Sequence, residues 1–523
     1  MSELIALSHP EVPDGFSAAV AHLQMRREAT VKWLLVLLLV IGAAVALADG
    51  LTRAPNADWE SMPFQNPLQY TPYKAAFLFA GLLIPLTLRY ARGLGASLLH
   101  GLLLWFVMCT AAYSKDFAYL RLPGVPLFIT DVILALSFLF IFLCPRVRIP
   151  TLQFWPVSAA LLLVSIGILE VCRGLAAGRD ALTVLRDFEV PLYAVFLLIG
   201  MYAVEEWPAI QRFCRFFIYG ALMASLTAVG WFLMVPAQRR YIFHGGPHIA
   251  AAFIGVLAWT LSKRVPATIR YGVIGLLAVG IILTNSRTAY VCIAVCLGVL
   301  FLTAKVGNRH LRFSGIALLL GGTILISGIL LTLMTVNDKG SAFLSRTTRE
   351  LISGTVNYQN DANAEFRFQA WNEAMNRFSQ NPLFGEGFGV PFLFGDEDYD
   401  SRPHNTYLTV LYKMGLAGFV PLMCLFGHFF LQGWKALRSC RKQQESLLLY
   451  CCMLAFLSMF LSGALNLALE SPFAASIFWL TMGVCYRMMI LLARQQRLLQ
   501  MSFLMTATQK NHAIVPSVSA ALY

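Results

Sequence analysis

Charge is scarce in this sequence of 523 residues: Asp, Glu, Lys and Arg together make up 13%, against about 25% in an average soluble domain. That scarcity excludes an ordinary water-soluble globule and points to lipid as the main solvent. A disulfide framework is lacking too. The 11 cysteines fall in apolar runs or in short basic loops, as Cys214 and Cys440 do, and none lies in the long polar segment 337–405. The strict apolar–polar alternation of membrane barrel strands is absent, and so is any internal repeat. A cleavable secretory signal is not evident either. The first thirty residues are polar, include Pro10 and Pro13, and run into a full-length apolar stretch without a small-residue cleavage site.

What is abundant is apolar sequence. Hydrophobic residues make up 58% of the chain and mean hydropathy is +0.66. Continuous runs of about 18 residues or more can each cross a bilayer as a helix. They fall near 31–49, 73–88, 94–112, 126–144, 155–172, 190–204, 216–236, 249–262, 271–285, 288–304, 313–336, 406–432, 447–466 and 472–490. The second, sixth, eighth and ninth are short or weak. The expectation is an all-α, polytopic membrane protein with 12 to 14 transmembrane helices. Residues 1–30 form a tail, 31–336 the first helices, 337–405 a large loop with amphipathic helices, 406–490 the last spans and 491–523 a second tail. The formal net charge of +13 implies no nucleic-acid partner here, because much of it sits in short loops where it records topology.

Basic loops alternate along the chain: Arg26/Arg27/Lys32, Arg89/Arg92, Arg146/Arg148, Arg212/Arg215, Lys263/Arg264/Arg270, Lys305/Arg309/Arg312, Lys435/Arg438 and Arg487/Arg494/Arg497. The positive-inside rule puts these in the cytoplasm and segment 337–405 outside, which in a bacterium is the periplasm. Several arginines break the pattern: Arg173, Arg179, Arg186, Arg239, Arg240, Arg287, Arg367 and Arg402. A guanidinium held at the outer membrane face suits an anionic ligand, since its planar fork matches phosphate oxygens. Snorkelling to lipid headgroups is the plainer alternative.

Three motifs stand out in this setting. Asn285-Ser286-Arg287-Thr288 interrupts apolar sequence from Tyr271 to Thr303 and holds Arg287 between two helices, at a depth where an arginine needs a partner. Residues 364–378 read as an amphipathic helix, with Arg367, Trp371, Met375 and Phe378 on one stripe beside Ala374 and with Arg377 pointing away. It ends at Asn381-Pro382. The Gly385-Glu386-Gly387-Phe388-Gly389 run that follows reads as a flexible turn and not as a dinucleotide fingerprint, because it leaves a helix instead of joining strand to helix. Arg402-Pro403-His404-Asn405 then opens the next span, with extended backbone expected at Arg402 before the proline. His404 would lie at the helix N-terminus, where the positive helix end disfavours imidazolium and leaves a base beside the arginines. The acidic run Asp396–Asp400 reads as a solvated loop without a calcium-type ligand spacing. Asp131, Glu170 and Glu470 are acids within spans, candidates for pairing with arginine or binding an acceptor.

Over roughly 250–435 the chain resembles the O-antigen ligase and O-antigen polymerase superfamily. The resemblance rests on Ser286-Arg287, Arg367 with Trp371, Asn381-Pro382-Leu383-Phe384-Gly385, His404-Asn405-Thr406-Tyr407-Leu408 and Gly415-Leu416-Ala417-Gly418, in that order. Thr130-Asp131 is similar to a feature of polysaccharide polymerases, and Lys413 departs from the family, where an acidic or neutral residue is common. The resemblance implies a GT-C-like, metal-independent, inverting membrane glycosyltransferase of the bacterial inner membrane that needs no cofactor. It would move a glycan from an undecaprenyl-diphosphate carrier to an acceptor hydroxyl on the periplasmic face. His404 would be the base and Arg287 and Arg367 the diphosphate ligands. Arg186, Arg239, Arg240, Arg402, Asn405, Asp131 and Glu470 would be further candidates. The acceptor is another lipid-linked glycan in a polymerase, with a chain-length regulator as a possible partner, and lipid A–core in a ligase. Chain length and Tyr412-Lys413-Met414-Gly415 favour the polymerase. A flippase for the same lipid is the competing class, but it should show paired broken helices in matching halves.

Overall fold

The computed structural model describes scattered positions between 37 and 48, and residues 98–120, 127–143, 155–204, 206–234, 245–262, 266–284, 286–303, 362–393, 402–440 and 444–514. Expected spans 31–49 (in large part), 73–88 and 313–336, the arginines Arg239 and Arg240, Asn285 and the acidic run 396–400 lie outside the described residues.

Continuous apolar sequence satisfies its own backbone only as helix, and the described residues are helical without a strand. In chain order they form α1 (Leu98–Tyr113), α2 (Lys115–Ala118), α3 (Ile129–Leu143), α4 (Trp155–Ala176), α5 (Ala181–Leu192), α6 (Val195–Ala203) and α7 (Trp207–Met234). There follow α8 (Gly246–Ser262), α9 (Ala267–Thr284), α10 (Arg287–Thr303), α11 (Ala362–Gln380), α12 (Thr406–Ser439), α13 (Gln444–Leu465) and α14 (Pro472–Ile514). Five of these, α4, α7, α12, α13 and α14, are long and apolar enough to cross a membrane by themselves.

The helices pack in a web. α7 lies between α1 and α9, α8 and α10 pack on α13, and α12 contacts α4, α11 and α13. A core of Phe106, Phe196, Phe426, Phe429, Phe456, Phe478 and Trp479 runs through the bundle. Phe426 alone touches the rings of Tyr407, Phe460, Phe478 and Trp479. Small residues allow a close crossing of α6 and α14. A Cβ on Gly200 of α6 would strike the Leu480 carbonyl of α14, and one on Gly483 would strike that of Leu197, so the two backbones touch in the small-residue manner of membrane helices.

The weak sixth span, 190–204, is not one helix. Pro191 sits in the last turn of α5, and the chain turns at Tyr193–Ala194 before α6 begins. α6 has 9 residues, a length of about 14 Å, roughly half the hydrocarbon thickness. The break turns α5 aside, and its buried face at Val184, Asp187 and Val190 brings a carboxylate inside the bundle.

Candidate functional site

The site is organised by a broken helix. Gly415, inside α12, has φ 60° and ψ −161°, a conformation open essentially only to glycine. The break frees backbone groups on either side, and each finds a partner in one segment. Glu386 N donates to Tyr412 O at 2.8 Å and Gly387 N to Lys413 O at 3.0 Å. Leu416 N donates to Pro382 O at 2.9 Å and Ala417 N to Leu383 O at 3.0 Å. The two sequence motifs 381–385 and 415–418 are therefore the two halves of one pairing. Gly385, at φ 65°, could not carry a Cβ without meeting Lys413 O at 2.6 Å.

The glycine-rich run is not a flexible turn. Gly385, Gly387, Phe388 and Gly389 are buried, and the outward carbonyls of this left-handed segment are collected by two arginines. Arg173 donates to Phe384 O at 3.2 Å and Gly385 O at 3.0 Å, while Arg179 donates to Phe388 O at 2.7 Å and Glu386 O at 3.1 Å. Arg173 also pairs with Glu170 at 3.2 Å. Expected as anion ligands, these two cations are engaged by backbone oxygens, the other acceptor that a guanidinium fork fits.

Beneath the turn lies a buried four-membered ionic network. Asp187 on α5 accepts from Lys413 Nζ and from Gly389 N at 2.8 Å on one oxygen, and from Arg402 Nη2 at 3.1 Å on the other. Arg402 Nη1 reaches Glu470 Oε2 at 2.9 Å, and Lys413 also donates to Val390 O at 3.2 Å. None of the four side chains is more than 4% exposed. Two cations against two carboxylates leave the network neutral, the condition under which burial of charge is tolerable.

This network holds the turn that presents His404. Extended backbone was expected at Arg402, but both Arg402 and His404 are left-handed, at φ 37° and 50°. Such geometry costs an ordinary residue about 1–2 kcal/mol and persists where surroundings over-determine it. Arg402 is fixed by its two carboxylates. Trp371 Nε1 donates to Pro403 O at 2.9 Å. Asn405 caps α12, its side-chain oxygen accepting from Tyr407 N and Leu408 N at 3.1 and 3.2 Å. His404 is half-buried one residue before that cap, with the Phe366 ring edge-on at 6.3 Å. The cap at this helix is thus Asn405.

α11 lies over this turn. Its buried side is Phe366, Ala370, Ala374 and Phe378 with Trp371, whereas Met375 is exposed, so the true stripe is turned from the expected one. Arg367 is half-buried, next to Phe366 in the sequence and one turn before Trp371. Arg377 does not point away. It pairs with Glu373 at 2.8 Å and Glu386 at 3.4 Å, donates to the carbonyls of Pro391 and Leu393, and covers the Phe392 ring at 4.7 Å. Glu386 and Phe392, remote in the periodicity of α11, are what turn this arginine inward.

Arg287 is half-buried at the first position of α10, after Ser286, whose Oγ accepts from Ala289 N at 3.4 Å. α10 and α12 both pack on α13. Asp131 accepts from Tyr193 OH and Phe128 N, both at 2.9 Å. It forms part of a neighbouring cluster with Glu189, Tyr119, Lys115 and the exposed Arg186. Burial, reinforced by the Asp131 charge, pushes the Glu189 carboxyl up to about 8, and Arg402 and Arg186 oppose that rise. Burial also pulls Lys115 down, with Arg186 adding to the effect. Among the described residues no three His, Cys, Asp or Glu side chains converge to hold a metal ion.

Asp187 was not singled out in the sequence. The available signal was an acid on the apolar stripe of a short helix, at the i+3 position between Val184 and Val190.

Residues 272–423 match the model of a family described as O-antigen ligase. An O-antigen ligase of Pseudomonas aeruginosa is 25% identical to this chain over 196 residues, which cover 37% of this chain and 42% of that protein. The family match spans both halves of the broken-helix pairing and Arg287, Arg367, Arg402 and His404, while Asp187 and Glu470 lie outside it. Over these residues the chain is similar to O-antigen ligases, and its all-helical fold is that of a polytopic membrane protein.

Proposed function

We propose that this protein transfers a glycan from an undecaprenyl-diphosphate carrier to an acceptor hydroxyl, working at the periplasmic face of the bacterial inner membrane. The observation that carries the reading is the His404 turn: a half-buried imidazole held in left-handed backbone by a buried ion network, under a helix that bears Arg367. Strain maintained by several independent contacts is characteristic of a site that must present one side chain accurately.

The chemistry follows from this placement. The acceptor oxygen attacks the anomeric carbon as the bond from that carbon to the diphosphate oxygen breaks. His404 takes the acceptor proton, and undecaprenyl diphosphate leaves with the bonding electrons. The charge that develops on the diphosphate calls for fixed cations, supplied by Arg287 and Arg367. Single displacement inverts the anomeric centre. The outcome is a lengthened lipid-linked glycan in a polymerase or a glycan on lipid A–core in a ligase, the activity that the Pseudomonas relative is named for. The Tyr412–Gly415 run, whose resemblance favours the polymerase, is buried and engaged in the helix break and the Asp187 network.

The test is product analysis with purified protein in nanodiscs, given an undecaprenyl-diphosphate-linked glycan and either lipid A–core or no second acceptor. Glycan appearing on lipid A–core identifies a ligase, and a ladder of lengthened lipid-linked glycan identifies a polymerase. Donor that remains intact under both conditions sinks the proposal.

A further inference from the structure

Asp187 accepts from three partners in the network behind His404, and the transfer chemistry above does not use it. One carboxylate oxygen binds Arg402, two residues before His404, and the other binds Lys413 and Gly389 N. Its partners lie 202, 215 and 226 residues away in sequence. It therefore joins α5 to the turn before α12, to the break inside α12 and to the glycine-rich segment. Arg402 cannot relax freely, because its other nitrogen is bound to Glu470.

We propose that Asp187 is a positioning residue for His404, setting the imidazole through the left-handed Arg402–Pro403–His404 turn. The inference rests on His404 acting as the base. The alternative is that Asp187 merely neutralises buried cations, and the two differ in what a second substitution repairs. In D187N, Lys413 and Arg402 face only the Glu470 charge within the network. In D187N/K413M the charge is balanced again, Arg402 against Glu470, yet the tie from α5 to Arg402 remains weakened.

The experiment uses the full chain in nanodiscs and compares wild type, D187N, D187E, D187N/K413M and H404A. Turnover of an undecaprenyl-diphosphate-linked glycan, thermal midpoint and binding of undecaprenyl diphosphate alone are read for each. A displaced base costs roughly 100-fold in turnover. D187N is expected to lose about that factor while undecaprenyl diphosphate binds as in wild type. D187E should recover part of the loss. D187N/K413M should regain the thermal midpoint but not the turnover. If D187N does not accumulate, the double variant carries the same comparison. Wild-type turnover in D187N, or midpoint and turnover recovering together in the double variant, overturns the positioning role while leaving His404 as the base. A fully active H404A removes the base itself, and the positioning role with it.

Discussion

Gly415→Ala tests the broken helix most directly. Gly415 has φ 60° and ψ −161°, and an added methyl would collide with the Leu383 carbonyl. Backbone of this kind costs a non-glycine residue about 1–3 kcal/mol. Relief of the clash must come from withdrawing segment 382–387, which makes four backbone hydrogen bonds across the break, each worth about 0.5–1.5 kcal/mol net. The total falls between about 1 kcal/mol, if the pairing bends, and several kcal/mol, if it opens. Thermal unfolding in detergent, followed by tryptophan fluorescence or size-exclusion survival, should show a lowered midpoint for G415A. Gly385→Ala, whose methyl would meet Lys413 O at 2.6 Å, should behave alike. The double variant should cost less than the sum, because both changes break one pairing. Gly427→Ala in the same helix is the control. Nothing lies near its added Cβ, so helix propensity makes it neutral or stabilising by up to about 1 kcal/mol. A G415A protein with the midpoint of G427A would refute the pairing as a structural element.

Three further outcomes are expected. Arg377→Ala should lower the thermal midpoint clearly more than Arg186→Ala, since Arg377 ties two acids, two carbonyls and a ring together whereas Arg186 is exposed; equal midpoints in the two variants would contradict this. Glu189 is raised from 4.5 to about 8, so its contribution to stability is full below about 4.5 and is lost as pH climbs through 8. Relative to wild type, Glu189→Gln should therefore gain thermal midpoint as pH rises from 6 to 9, and a pH-independent difference would rule this out. Reporter fusions after Ala364 should be active only when exported, and fusions after Ser439 only in the cytoplasm; the same side for both would break the topology.

The fold class was legible because hydropathy is additive along the chain: the runs at 155–172, 216–236, 406–432, 447–466 and 472–490 became α4, α7, α12, α13 and α14. Local breaks were partly legible. Ser286-Arg287 marked the start of α10, and Asn381-Pro382 marked the end of α11. What failed was partner assignment. Arg173 and Arg179 were recognisable as cations suited to an anionic ligand or lipid headgroups, but sequence does not distinguish a phosphate oxygen from a carbonyl presented by residues more than 200 positions away. The glycines of 385–389 signalled unusual backbone, yet their rigidity comes from α4, α5 and α12. Asp187 escaped notice for a related reason, since only the break at Tyr193–Ala194 turns its helix inward.

The central claim, that His404 is the base, is tested by turnover of lipid-linked glycan across pH 5 to 9 in wild type, His404→Ala and His404→Asn. Loss of a general base costs roughly two to four orders of magnitude, and both variants should lose that much. Undecaprenyl diphosphate should still bind, and the rise in rate with pH across the imidazole range should vanish. Asparagine should offer no rescue, because Asn405 already caps the helix. Near-normal turnover in His404→Asn, with the pH limb intact, would contradict the assignment.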